Sequence, residues 1–409
     1  MSWKVQTSVF ALAVAALALA PPADAKVEGD VITLGAAISL TGKYSTDGIH
    51  SKNGYDIAIK KINDMGGVTV DGKTYKLEVA YYDDESTPAR GAQLAERLIQ
   101  QDGIQFMLGP YSSGLTKAIA PVTEQFGVPM IEAEGASRSL FTQGYKYMFA
   151  VLSTSEQYLS SAIDLAAEQA RADGREPSSI KVAMAFENDP FSLDVRAGVM
   201  ENAETYGMQI VVDDKLPRDL ADMSATLTKV RALKPDVLVV SGHAKGAATL
   251  ARQVGEMNIQ VPMIALTHCE SADITSKFGD TVNNFFCPTQ WAETLSYSDP
   301  YFGSAADYDA AFKEMFPDYD TVPYQAAQAS AAVLVWKDAF ERAGSFDVET
   351  VRQAIADTKM ETFYGQVEFA PEGNNIAKPM VLRQIQDGQY NVVAPTKWAA
   401  AKANLAFAQ

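Results

Sequence analysis

The chain has 409 residues, 47% hydrophobic and 21% charged, with a formal net charge of −17. That acidic balance excludes nucleic acid and an anionic membrane surface as partners. At roughly 150 residues per domain, the length implies two lobes rather than one core.

The N-terminal 25 residues read as a secretory signal peptide. Lys4 supplies the positive charge, "VFALAVAALALA" (9–20) is the apolar segment, and Ala23-Asp24-Ala25 is an A-x-A cleavage site. The apolar run falls short of the roughly 20 residues a spanning helix needs. No other segment is long and apolar enough, and no cysteine follows the cleavage site to carry a lipid. An exported, soluble protein beginning near Lys26, with no direct membrane insertion, is expected.

From there, apolar β-branched runs alternate with amphipathic stretches, the pattern of a parallel sheet with crossover helices. "VITLGAAISL" (31–40), "LEVAYYDDES" (77–86), "FMLG" (106–109) and "VPMIEA" (128–133) read as strands and their ends. Between them lie helical patterns at 54–65 and 88–101, the second opened by Pro88, whose missing N–H costs nothing in a first turn. The alternation restarts with "KVAMAFE" (181–187), "QIVVDDKL" (209–216), "DVLVVSG" (236–242) and "PMIAL" (262–266). Helical spacing returns over 304–316, 321–343 and 347–357. "YGQVEFAPEGN" and "PMVLRQIQDGQYNVV" close the chain and read as a strand pair. The fold class is α/β, with two doubly wound lobes around a hinged cleft.

Ligands of open α/β sheets sit beyond the C-terminal ends of the strands, so "GPYSSGLT" (109–116) is the first candidate. Gly109 to Gly114 satisfies the phosphate-binding G-x-x-x-x-G, but Leu115 stands where the lysine is needed. A nucleophile elbow, G-x-S-x-G, is not matched around Ser112 or Ser113, and only three histidines (50, 243 and 268) could serve as a base. What remains is a hydroxyl near a helix N-cap together with free N–H groups, a natural anion site, or simply a serine capping its own helix. Pro121 inside that helix predicts a kink or a late start. The turns "EGAS" (134–137), "ENDPFS" (187–192), "SGHAKG" (241–246) and "LTHCES" (266–271) are similarly small and polar. They place His243 and His268 at strand ends as possible donors; a metal site would need a third ligand that the pattern does not supply, so none is expected. Cys269 and Cys287 would close a loop of about 20 residues. In an oxidising compartment a disulfide is the economical reading, with two buried thiols as the alternative.

The chain resembles the periplasmic solute-binding proteins of branched-chain amino-acid-type ABC importers, the Leu/Ile/Val-binding family. The resemblance rests on "ITLGAAISLTGKYSTDG", "GYDIAIKKINDMGG", "LEVAYYDDESTPARGAQLAERLI", "FMLGPYSSGLTKAIAPVTEQFGVPMIEAEGAS", "FENDPFSLDVRAGV" and "LKPDVLVVSGHAKGAATLARQV", in the family's order. It implies the type I periplasmic binding protein fold, with lobe 1 formed by 26–149 and 289–370, and lobe 2 by 150–288 and 371–409. It also implies no catalysis and no cofactor. A monomer captures a small carboxylate-bearing solute, an amino acid or an aromatic or organic acid, by lobe closure and delivers it to a membrane permease.

By the same resemblance, Ser113 holds the ligand carboxylate, with Ser112 and Tyr111 beside it. Glu134, Gly135 and Ala136 offer the backbone groups of the next loop, and Phe191 flanks the ligand. The ammonium side departs from the family. Asp47 stands where the amino-acid binders carry a tyrosine, although Tyr44 is near. His243 replaces a second tyrosine, and Thr267 or His268 occupies the place of the acidic residue. Asp47 or Glu134 would have to supply the anion, or the ligand lacks an ammonium; Tyr44, Tyr111 and Phe191 together suit a flat or aromatic solute. A sensory module for a membrane receptor would share these features, whereas an exported serine hydrolase would need a base beside Ser112 or Ser113.

Overall fold

The computed structural model describes Met1 and residues 27–407, so residues 2–25 of the expected leader lie outside the described residues. The first sheet contains β1 (Val27–Glu28), β2 (Val31–Ile38), β3 (Val68–Val70), β4 (Lys73–Asp83), β5 (Met107–Leu108), β6 (Met130–Glu132) and β7 (Met148–Ala150). Their order is β3-β4-β2-β5-β6-β7, with β1 antiparallel to β2 and β3 antiparallel to β4; the other pairs are parallel. β2 is buried along nearly its whole length, as an interior parallel strand covered on both faces must be. The helices α1 (Ser45–Asp64), α2 (Pro88–Gln100) and α3 (Ser113–Phe126) provide the crossovers.

The second sheet repeats the plan with β8 (Lys181–Glu187), β9 (Gln209–Leu216), β10 (Val237–Ser241), β11 (Met263–Leu266) and β12 (Phe286–Thr289), all parallel. Its helices are α4 (Ser160–Ala172), α5 (Pro190–Thr205), α6 (Ser224–Leu233), α7 (Ala244–Glu256) and the short α8 (Ile274–Phe278). Cys269, just after β11, is bonded to Cys287 in β12 across a Cα–Cα distance of 5.9 Å. The bond ties the His268 loop to the sheet.

The chain then returns to the first sheet. After the hairpin of β13 (Ser298–Asp299) and β14 (Gly303–Ser304) come α9 (Ala305–Met315), α10 (Tyr324–Ala343) and α11 (Val348–Ala356). α10 is buried on nearly every side. Trp336 and Phe340 lie 5.4 and 4.9 Å from the Phe106 ring, while the other end of the helix presses on α1 so closely that a Cβ on Gly54 would collide with the Ala326 carbonyl.

Two local expectations are corrected. The closing segments do not pair with each other: β15 (Lys359–Thr362) forms a hairpin with β16 (Gly365–Glu368), and β17 (Val381–Gln386) pairs with β18 (Gln389–Ala394) and with β12. Short turns make local hairpins the cheaper closure. Nor does Pro121 delay its helix. α3 starts at Ser113 and continues to Phe126, held by buried Leu115, Ile119 and Ala120, and Gly127 ends it in the left-handed region (φ 64°).

Reducing the Cys269–Cys287 bond, with 18 residues of separation, should cost about 3 kcal/mol of unfolding free energy. Urea unfolding with and without reductant checks this; coincident curves would contradict it.

Candidate functional site

The C-terminal ends of the two sheets face each other, and seven rings meet between them. Tyr44, Tyr111 and Tyr324 come from the first-sheet side; Tyr158, Phe191, His243 and His268 come from the second. His243 lies 4.7 Å from Tyr44, 5.5 Å from both Tyr111 and Phe191, and 5.2 Å from His268. Tyr158 stands edge-on to Phe191 at 5.1 Å, and Tyr324 lies 6.1 Å from His268. All seven are buried.

A hydrogen-bonded chain threads these rings. Asp189 is the N-cap of α5: its Oδ1 accepts from the Ser192 N–H at 2.8 Å, and Pro190 follows as the first helical residue. Its Oδ2 lies 2.7 Å from His243 Nε2, and His243 Nδ1 lies 2.7 Å from the Tyr111 hydroxyl. That hydroxyl also lies 3.0 Å from His268 Nε2. Burial opposes charge on His243, but Asp189 and then Glu187 outweigh it and hold the imidazole above its ordinary value. Asp189 is in turn held below the usual carboxylate range, because His243 outweighs the burial penalty. His268 goes the opposite way: burial, and then the His243 charge, push it well down. The protons follow from these directions. When His243 is protonated, Nε2 donates to Asp189 and Nδ1 to the Tyr111 oxygen, which leaves the Tyr111 proton for His268. His268 reaches this position from a left-handed backbone (φ 65°), a conformation that costs a residue bearing a side chain about 1–2 kcal/mol.

The carboxylates nearby are already engaged. Asp47 accepts from the Ser271 hydroxyl, from Gln325 Nε2 at 3.3 Å and from the Ala244 N–H at 3.4 Å, so it too joins the sides of the cleft. Glu134 accepts from Ser51 Oγ at 2.8 Å and Gln328 Nε2 at 2.6 Å. Burial raises the pKa of both, that of Glu134 strongly. Glu132 accepts from the N–H groups of Glu134 and Gly135 and from Thr116 Oγ1, and burial brings it to about 7. Gly109 is a glycine because the Glu132 carboxylate occupies the space a Cβ would need.

Several residues expected at the site are turned to other work. Ser113 Oγ accepts from the Ser137 N–H at 3.0 Å. Ser112, the N-cap of α3, does not cap with its side chain; its buried Oγ lies beside Tyr44 and makes no hydrogen bond of normal geometry. The N–H groups of Glu134, Gly135 and Ala136 were expected to serve a ligand, but Glu132 takes the first two and the Glu134 carbonyl takes the third at 3.1 Å. Thr267 Oγ1 donates to the Gly242 carbonyl at 3.0 Å. Asp189, Tyr158 and Tyr324 escaped the sequence reading. An Asp-Pro start to a helix could have revealed the first; nothing local marks the other two.

Among the described residues, Glu187, Asp189 and His243 form the one group at metal-ligand spacing. The Lys43 ammonium already lies on Glu187 and His243 on Asp189, so the protein balances these charges itself.

Asp189→Asn should lower the His243 pKa, as read by imidazole NMR titration; an unchanged value would break the proposed charge assignment. Since folding raises this pKa above 6.5, the stability it contributes is complete below pH 6.5 and is lost as pH rises through the folded value.

The periplasmic binding protein family model matches residues 31–389. A Leu/Ile/Val-binding protein of Rhizobium johnstonii is 27% identical over 380 residues, covering 92% of this chain and 96% of the relative. Among solved structures, the branched-chain amino acid transporter substrate-binding protein of Streptococcus pneumoniae, in complex with isoleucine, superposes with a TM-score of 0.77 at 22% identity, covering 89% of this chain and all of that one. A Rhodopseudomonas palustris ABC-transporter solute-binding protein, in complex with 3,4-dihydroxybenzoic acid, gives 0.76 at 23% identity, covering 92% and 99%. With two doubly wound sheets facing each other across a ring-lined cleft, and with the family model matching most of its length, the chain belongs to the periplasmic binding protein family.

Proposed function

We propose that the chain is the extracytoplasmic solute-binding component of an ABC importer, and that its solute is a small aromatic carboxylate. Residues 26–149 with 289–370 form one lobe, and 150–288 with 371–409 the other. They close on the solute and present it to a membrane permease. No described helix is long and apolar enough to cross a membrane.

The observation that carries this reading is the pairing of a seven-ring wall with the engagement of Asp47 and Glu134 by the protein's own donors. An α-ammonium group needs an available carboxylate, but Asp47 and Glu134 are saturated by protein donors and burial disfavours their charged forms. A flat aromatic body suits edge-to-face packing among Tyr44, Tyr111, Phe191 and the two histidines. Its carboxylate suits the Ser112 hydroxyl and the first-turn N–H groups of α3, with Ser113 shaping the turn through Ser137. The isoleucine and dihydroxybenzoate complexes of the two structural neighbours bracket this choice, and the engaged carboxylates favour the second. Closure is a population shift driven by contacts that only the closed form makes with both lobes. Neither Ser112 nor Ser113 bonds a histidine, which leaves a hydrolytic reading without its base.

A thermal-shift and calorimetric panel of benzoate, 3,4-dihydroxybenzoate, leucine and isoleucine tests the proposal. Aromatic acids should bind, and Ser112→Ala should weaken them about tenfold, the loss of one charge-assisted hydrogen bond. Stabilisation by the α-amino acids alone would overturn it.

A further inference from the structure

Protein groups alone join the two sides of the cleft at several points. Tyr111 bonds the two histidines, and Asp47 on α1 accepts from the Ser271 hydroxyl in the loop after β11. Lys43, in the turn between β2 and α1, forms an ion pair with Glu187 at the end of β8. This last contact differs from the others in what it would leave behind. The Glu187 side chain is 0% exposed, and among the described residues Lys43 is the only group bonded to its carboxylate. The Lys43 ammonium also lies 4.7 Å from the centre of the Tyr44 ring, which holds it on its own side of the cleft.

The charges around Glu187 leave little to replace Lys43. Burial is the first influence on the Glu187 carboxyl and raises it; His243 draws it down, Asp189 raises it again, and Lys43 draws it down. His243 Nε2 is committed to Asp189 at 2.7 Å. Arg218 is exposed, and its Nε donates to the Asn188 carbonyl at 3.0 Å. Without Lys43, two neighbouring buried carboxylates would share one imidazole. An uncompensated buried carboxylate costs far more than the same position carrying an ion pair or a neutral side chain.

We propose that Lys43 is the counter-ion on which closure of the cleft depends: it compensates Glu187 as the approaching sides bury that carboxylate. The pair is split between the sides, so opening separates it and returns Glu187 to water. Whether the solute-free chain closes is then set by whether the Glu187 charge is compensated. The Arg138–Glu201 pair also crosses between the sides, but its side chains are 42% and 57% exposed, and both charges keep their water in either arrangement. The inference rests on the closing motion proposed above and not on which solute is bound.

Small-angle scattering from the full chain, refolded from urea to remove any bound solute, reads opening as the radius of gyration. Lys43→Met should enlarge the radius, through a closed-to-open ratio about tenfold lower or more. Lys43→Gln, which keeps a polar stem without the charge, should open the cleft as well. Lys43→Met/Glu187→Gln should return to the parent radius, because no uncompensated carboxylate is then buried; a loss of packing on Tyr44 would not be rescued in this way. Arg138→Met should match the parent. Melting curves check that each variant is folded. A Lys43→Met radius equal to the parent's, or a double variant as expanded as the single one, would overturn the inference. Repeating the series with isoleucine and with 3,4-dihydroxybenzoate separates the two failures. Contraction that ignores Lys43 overturns the counter-ion and leaves closure standing, whereas radii fixed throughout overturn both.

Discussion

The link from Asp189 through His243 to Tyr111 and His268 is the constraint on which the rest of the cleft depends. It is a buried polar path shared by the two halves of the molecule. In a low-dielectric interior such a network is strong when complete and costly when broken. Asp189 raises the His243 pKa against burial, while burial, and after it His243, push His268 down. The left-handed backbone at His268 is tolerated because the neighbouring disulfide holds the loop and the ring then reaches Tyr111.

A second buried path joins the crossings between the sheets to the floor of the cleft. The Ser153 N–H donates to Gln290 Oε1, and Ser153 Oγ donates to the Lys378 carbonyl. The Tyr364 hydroxyl lies within hydrogen-bond distance of both Gln290 and Gln328, and Gln328 reaches Glu134. Lys378 is buried against the Tyr364 ring, 4.2 Å from its centroid, and burial lowers its pKa to about 7. Hinge and cleft are therefore connected by discrete side-chain bonds, the kind of element whose two arrangements a solute can bias.

His243 and His268 stand on the second-sheet wall of the cleft, and Asp47, Glu132 and Glu134 opposite them accept hydrogen bonds from the protein itself. Specificity then depends as much on which charges are spent internally as on which side chains line the wall.

Much of the architecture was legible in the chain. An apolar run marked β8 at 181–187, because a buried parallel strand must be apolar on both faces, whereas β9 at 209–216 lies at the sheet edge and keeps polar residues. The two cysteines, Tyr111, Phe191 and both cleft histidines were equally visible, since strand-end turns of an α/β sheet are where ligands bind. Local pattern carries this information because periodicity and turn chemistry act over a few residues. It could not show that Ser113 would be spent on Ser137 while Ser112 stayed free, that Glu132 would take the amides of the next loop, or that Tyr324, more than 200 residues from Tyr111, would close the ring wall. Those are decided by which groups tertiary packing brings within 3 Å of each other, and hydrogen bonds at that range have no sequence period to reveal them.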